Sequence, residues 1–182
     1  MRPLAALCSL SLLAVSSAAL AHSKEPPALV RFSGAIGVDP LTAAGGADAL
    51  NVVRGISPGG RAWVLRKFEA RIGTDGSISA KGRGLLFSSG DLIATRGGVA
   101  AVVATLACGT ADANAALFTS PPAALDTAGN FSIKGLLSQD GVNPVVMPAS
   151  CDNPALLIRA FNATTGAAGG WFAAGIPGSG DD

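Results

Sequence analysis

A single histidine, His22, and only two glutamates, Glu25 and Glu69, bound the chemistry this chain can perform. With one imidazole, no Ser-His-Asp or Cys-His arrangement can be assembled within a domain, and a histidine-rich zinc site is excluded. Glu69 lies between Lys67 and Arg71 at strand spacing, which reads as a solvated charge ladder rather than a catalytic acid. Asp75, Asp126, Asp140 and Asp152 stand beside turn residues, where a short carboxylate caps backbone amides. Asp112-Ala113-Asn114 offers two oxygen ligands for calcium, but the twelve-residue calcium-loop pattern is absent. No cofactor is expected from these residues.

The remaining reactive feature is positional. Met1 to Ala21 reads as a secretory signal peptide, with Arg2 as its positive region, Leu4 to Val15 as its apolar stretch and Ala19-Leu20-Ala21 as the cleavage pattern. Cleavage there makes His22 the first residue of the mature chain, where its α-amine and ring nitrogen together can chelate copper. In this one residue the chain resembles the histidine brace of copper-dependent polysaccharide monooxygenases, which also sit on β-sandwich scaffolds. The resemblance implies copper at His22; the brace needs a second histidine, and this chain has none.

Charge and cysteine usage narrow the setting. Without Arg2 the mature chain balances 12 basic against 12 acidic residues, which argues against nucleic acid as a partner and against a polybasic membrane anchor. Cys108 and Cys151 remain after cleavage, and an even pair in an exported protein is most simply one disulfide. A secreted or periplasmic location is therefore expected, with no transmembrane segment in the mature chain. Asn162-Ala163-Thr164 is an N-glycosylation sequon.

The basic residues are unevenly spread. Between Arg61 and Arg96 stand Arg61, Arg66, Lys67, Arg71, Lys81, Arg83 and Arg96, against Glu69, Asp75 and Asp91. Lys67, Arg71, Lys81 and Arg83 can share the exposed face of one hairpin and there meet an acidic glycan, an anionic lipid headgroup or an acidic protein. The same charges also suit a solubilising face that discourages edge pairing.

The elements that must position these residues read as strands. Val64, Phe68, Ala70 and Ile72 alternate with Lys67, Glu69 and Arg71; Gly73-Thr74-Asp75-Gly76 supplies a tight turn; then Ile78, Ala80, Gly82 and Gly84 alternate with Ser77, Ser79, Lys81 and Arg83. Val30, Phe32, Gly34, Ile36 and Val38 form one face of a first strand, and Asn51 to Ile56 a short second one. Ser57-Pro58-Gly59-Gly60 reads as a turn, since neither a Lys-Ser/Thr pair nor a helix follows to make it a phosphate loop. Val99 to Cys108 is apolar on both faces, as a central strand is; Ala113 to Thr119 suits a strand or one short helix. Ala128 to Gly135 echoes Asp75 to Gly82 and suggests a second hairpin. Ala155 to Phe161 and Trp171 to Ile176 complete the set.

With seven to nine short strands and no long amphipathic helix, the fold is expected to be one all-β domain over residues 30–176. A lead at 22–29 precedes it and a tail at 177–182 follows. A two-sheet antiparallel β-sandwich of immunoglobulin-like type is the first expectation, a small closed barrel the alternative. Nine aromatics and no tyrosine do not supply the girdles of an outer-membrane barrel. The functional expectation is a non-enzymatic exported protein with a binding or structural role, its partner a protein, glycan or small ligand. The alternatives are a barrel carrier of an apolar ligand and a copper protein using His22.

Overall fold

The alternating segments of the sequence become eleven strands in a computed structural model that describes residues 25–40, 51–109, 115–140 and 143–178. In chain order they are β1 (Ala28–Gly37), β2 (Trp63–Val64), β3 (Lys67–Gly73), β4 (Ser77–Arg83), β5 (Leu86–Phe87), β6 (Ala101–Cys108), β7 (Ala116–Thr119), β8 (Ala123–Ala124), β9 (Phe131–Leu136), β10 (Ala155–Asn162) and β11 (Ala167–Pro177). The signal-peptide residues, His22 and Asp112-Ala113-Asn114 lie outside the described residues.

Nine strands form one antiparallel sheet in the order β7-β6-β10-β11-β1-β3-β4-β9, with β8 also paired to β6; β2 and β5 make a separate ribbon. The sheet curls until its edges meet. Just past β9, Ser138 exchanges backbone hydrogen bonds of 2.7 and 2.9 Å with Thr119 at the end of β7. The all-β antiparallel expectation therefore holds, in a form consistent with a β-sandwich or a barrel-like fold. The walls that face each other across the core belong to one hydrogen-bonded sheet.

The inward residues fill that enclosure: Phe32, Phe68, Ile72, Ile78, Leu106, Phe131, Ile133, Leu156 and Ile158 are all buried in one cluster. β6 carries the run read as doubly covered, and seven of its eight residues are buried. It is paired by β10 on one side and by β7 and β8 on the other. The β2–β5 ribbon is held by Trp63, whose ring lies 4.1 Å from Phe172 and 4.2 Å from Phe87, centroid to centroid. Here Gly37 is a steric requirement, because a Cβ on it would stand 2.0 Å from the Trp63 carbonyl oxygen.

Four local expectations are corrected. The strand read through Val64 to Ile72 divides: Trp63 and Leu65 are buried and Val64 is exposed, and the alternation restarts at Lys67 after Arg66, whose amide bonds the Arg83 carbonyl. In β1, the register against β11 shifts between Phe32 and Ala35, where Gly34 takes a φ of 89°, and Ile36 is turned out to solvent. Asn51 to Ile56 is a tight turn in which Val53 and Ile56 exchange backbone bonds across Arg54 and Gly55, both at positive φ. The echoed segment does not form a second hairpin: across the Asp126–Asn130 turn, β8 pairs with β6 whereas β9 pairs with β4. Of the undecided segment Ala113 to Thr119, Ala116–Thr119 is a strand, β7, and Ala113-Asn114 lie outside the described residues.

Cys108 and Cys151 are joined, their Cα atoms 4.9 Å apart and 43 residues distant in sequence. The bond extends the β6–β10 ladder by tying the end of β6 to the approach to β10, where Gly109 donates to the Asp152 carbonyl at 2.8 Å. Replacing both cysteines by serine is expected to lower unfolding free energy by about 4 kcal/mol, from loop-closure entropy. Urea denaturation checks this, and a loss under about 1 kcal/mol would contradict it.

The β3–β4 turn supplies a second prediction. Asp75 accepts from the Ser77 hydroxyl at 2.6 Å and the Ser77 amide at 3.0 Å, and these bonds hold its carboxyl below the ordinary aspartate value. A depressed folded pKa means that the stabilisation is complete above the ordinary value and is lost as pH falls through the depressed one. Ser77→Ala is expected to move the Asp75 titration midpoint upward in a carboxyl-carbon NMR titration; an unmoved midpoint refutes the assignment.

Candidate functional site

On β3, Phe68, Ala70 and Ile72 point into the core, which sends Lys67, Glu69 and Arg71 outward. The same parity on β4 sends Ser79, Lys81 and Arg83 outward, and on β9 Ser132 and Lys134. On β1, before its bulge, Arg31 and Ser33 are exposed. Strand register sorts these side chains into three rows. Arg31, Arg71, Ser79 and Lys134 lie opposite one another in turn across β1, β3, β4 and β9. Ser33, Glu69, Lys81 and Ser132 form the next row, and Lys67 faces Arg83 in the third.

The four cations singled out in the sequence thus share one outer face. Arg31 and Lys134 join them, and neither was visible in the hairpin pattern. Their contribution depends on β1 lying beside β3 and β9 beside β4, which local alternation does not encode. Arg61 and Arg96, part of the same basic run, stand apart: Arg61 pairs with Asp91 and lies 5.6 Å over the Phe87 ring, while Arg96 donates to the Val99 carbonyl. The Arg61 guanidinium holds the Asp91 carboxyl below its ordinary value.

Neutralisation within the face is partial. Arg71 reaches Glu25 at 3.0 Å and also donates to the Pro26 carbonyl, while its Nε is buried without a hydrogen-bond partner. Lys81 and Glu69 are 3.8 Å apart, an exposed pair of small worth. Arg31, Lys67, Arg83 and Lys134 form no ion pair among the described residues. The face holds six cations against two acids, and two cation pairs, Arg31–Arg71 and Lys67–Arg83, are directly opposed across adjacent strands.

The Glu69–Lys81 pair borders two open depressions of about 370 Å³ each. One is lined by Glu25, Arg31, Ser33, Arg71 and Ser79, the other by Lys67 and Arg83. Both lie on the outside of the sheet, unlike the internal cavity that a carrier of an apolar ligand calls for.

Among the described residues no three His, Cys, Asp or Glu side chains group so as to hold a metal ion. Gly55-Ile56-Ser57-Pro58-Gly59 spells the Gly-x-Ser-x-Gly pattern, but a nucleophile elbow needs a strand-to-helix turn. Here Ser57 is an exposed loop residue whose carbonyl accepts from the Trp171 amide, followed by Pro58 and Gly59 against Trp171. Asp126 and Asp140 cap their turns through Asn130 and Asn143, as their sequence positions suggested.

Comparison with known proteins finds no matching family model, no matching curated protein and no matching solved structure.

Like charges placed directly opposite across strands destabilise a sheet. Lys67→Thr removes one such opposition at an exposed strand position that threonine favours. It is expected to raise unfolding free energy by roughly 0.2–1 kcal/mol in urea titration; a loss of stability would show that Lys67 is held by contacts that outweigh the repulsion.

Proposed function

We propose that the protein is an exported, non-enzymatic binding module whose outer face over β1, β3, β4 and β9 docks an anionic partner. The observation that carries this reading is the pair of direct cation–cation oppositions, Arg31 with Arg71 and Lys67 with Arg83, on one face. A surface whose only task is solubility gains by alternating sign across strands, as Glu69 and Lys81 do. Two oppositions of like sign cost stability in the free protein, and an anion between them converts that cost into attraction. Export is supported by the residue pattern of Met1 to Ala21 and by the Cys108–Cys151 disulfide, a bond that persists in oxidising compartments.

Dextran sulfate is a suitable first probe, titrated at several salt concentrations. The logarithm of the association constant is expected to fall linearly with the logarithm of salt concentration, as counterions are exchanged. Lys67→Thr combined with Arg83→Thr is expected to weaken binding and flatten that slope, while Arg61→Ser, outside the face, leaves both unchanged. Equal binding by the double variant and the parent protein would overturn the reading.

A further inference from the structure

We infer that the anion this face accepts is a linear acidic oligosaccharide lying across the strands, its carboxylates on the cations and its hydroxyls on the serines between them. This rests on the anionic-partner reading above and specifies its ligand. The row Arg31, Arg71, Ser79, Lys134 crosses four strands. At a strand spacing of about 4.8 Å it extends roughly 14 Å, and each step is close to the rise of one pyranose unit in an extended chain. The neighbouring row, Ser33, Glu69, Lys81, Ser132, runs parallel to it one side-chain repeat along the strands.

The composition of these rows separates a sugar from other polyanions. The hydroxyls of Ser33, Ser79 and Ser132 make no hydrogen bond among the described residues, and all three residues are exposed. They therefore offer neutral donors and acceptors beside the charges. Glu69 adds an acceptor in mid-face, which repels a uniformly anionic surface but suits a ligand bearing hydroxyl donors. A membrane surface would be met better by apolar side chains among the cations; of the exposed large apolar residues, Ile36, Ile93 and Val146 lie away from the three rows, and Leu136 and Ile176 stand only at their margins. An acidic peptide can join a sheet edge or set its carboxylates on clustered arginines; β1, β3 and β4 are each paired on both sides and leave only the edge of β9 for the first mode, and the polyglutamate titration below tests the second. The aromatic rings of Phe32, Phe68 and Phe131 are buried beneath the face, so recognition falls to charge and hydroxyls and not to ring stacking.

The test uses the full mature chain, isotopically labelled, titrated with hexameric oligogalacturonate, with its methyl ester, with polyglutamate and with phosphatidylglycerol vesicles. The expected result is saturable binding of oligogalacturonate, with amide shifts at Arg31, Ser79, Lys81, Ser132 and Lys134 and no binding of the methyl ester. Arg31→Ser with Lys134→Ser is expected to weaken oligogalacturonate by about tenfold or more, the scale of lost charge-assisted hydrogen bonds. Ser79→Ala with Ser132→Ala is expected to weaken oligogalacturonate while leaving polyglutamate unchanged, a readout that a purely electrostatic face would not give. Binding of polyglutamate or vesicles without oligogalacturonate, or equal losses for both probes in the serine variant, overturns the oligosaccharide inference and leaves the anionic reading standing. Failure of every anion to bind overturns both.

Discussion

Thr119 and Ser138 exchange two backbone hydrogen bonds, and through them the two edges of the nine-stranded sheet become neighbours. An open sheet of this length leaves a row of unpaired amides and carbonyls at each side and one apolar face to be covered by another layer. Curling and joining answers both demands at once: the apolar face covers itself, and the edges are used up locally. Because the inside is satisfied this way, the outside of β1, β3, β4 and β9 is free to carry charge without compromising the core.

Much of this was legible one strand at a time. The alternation of Phe68, Ala70 and Ile72 with Lys67, Glu69 and Arg71 is enforced by the pleat, so the outer face of the hairpin could be read directly, and the doubly apolar run of β6 marked it as central. Where the reading failed, something other than local parity decided. Ile36 is in phase with Phe32 and Val38 but is displaced by the bulge at Gly34. Val64 is in phase with Phe68 but belongs to a different pairing, set by the anchoring of Trp63 under Gly37. The echo of the first hairpin at Ala128 to Gly135 reproduces turn chemistry without reproducing the partner strand. Arg31 and Lys134 entered the candidate site only because strands distant in sequence lie side by side.

The proposed site has a physical economy of its own. Glu25 reaches from the lead segment to Arg71 and offsets one of the two cation oppositions, while Lys67 and Arg83 have no such compensation among the described residues. The face is thus graded, from a partly neutralised corner near β1 to a bare one at the end of the β3–β4 ladder. An anion approaching it would meet its strongest pull at the bare end.

Among the described residues β1 is the first strand and β11 the last, and they pair with each other, Ile36 beside Ala174. Almost every residue between them must therefore exist before this ladder can form. A chain with such long-range pairing folds late and as a whole, since loop closure must be met before the contact rewards it. While the polypeptide is still being made, β1 has β3 but not β11, so the enclosure stays open and its apolar wall uncovered. A protein wired in this way can close its enclosure only after β11 has been made, so the last strand in the order of synthesis is also the one that covers the core.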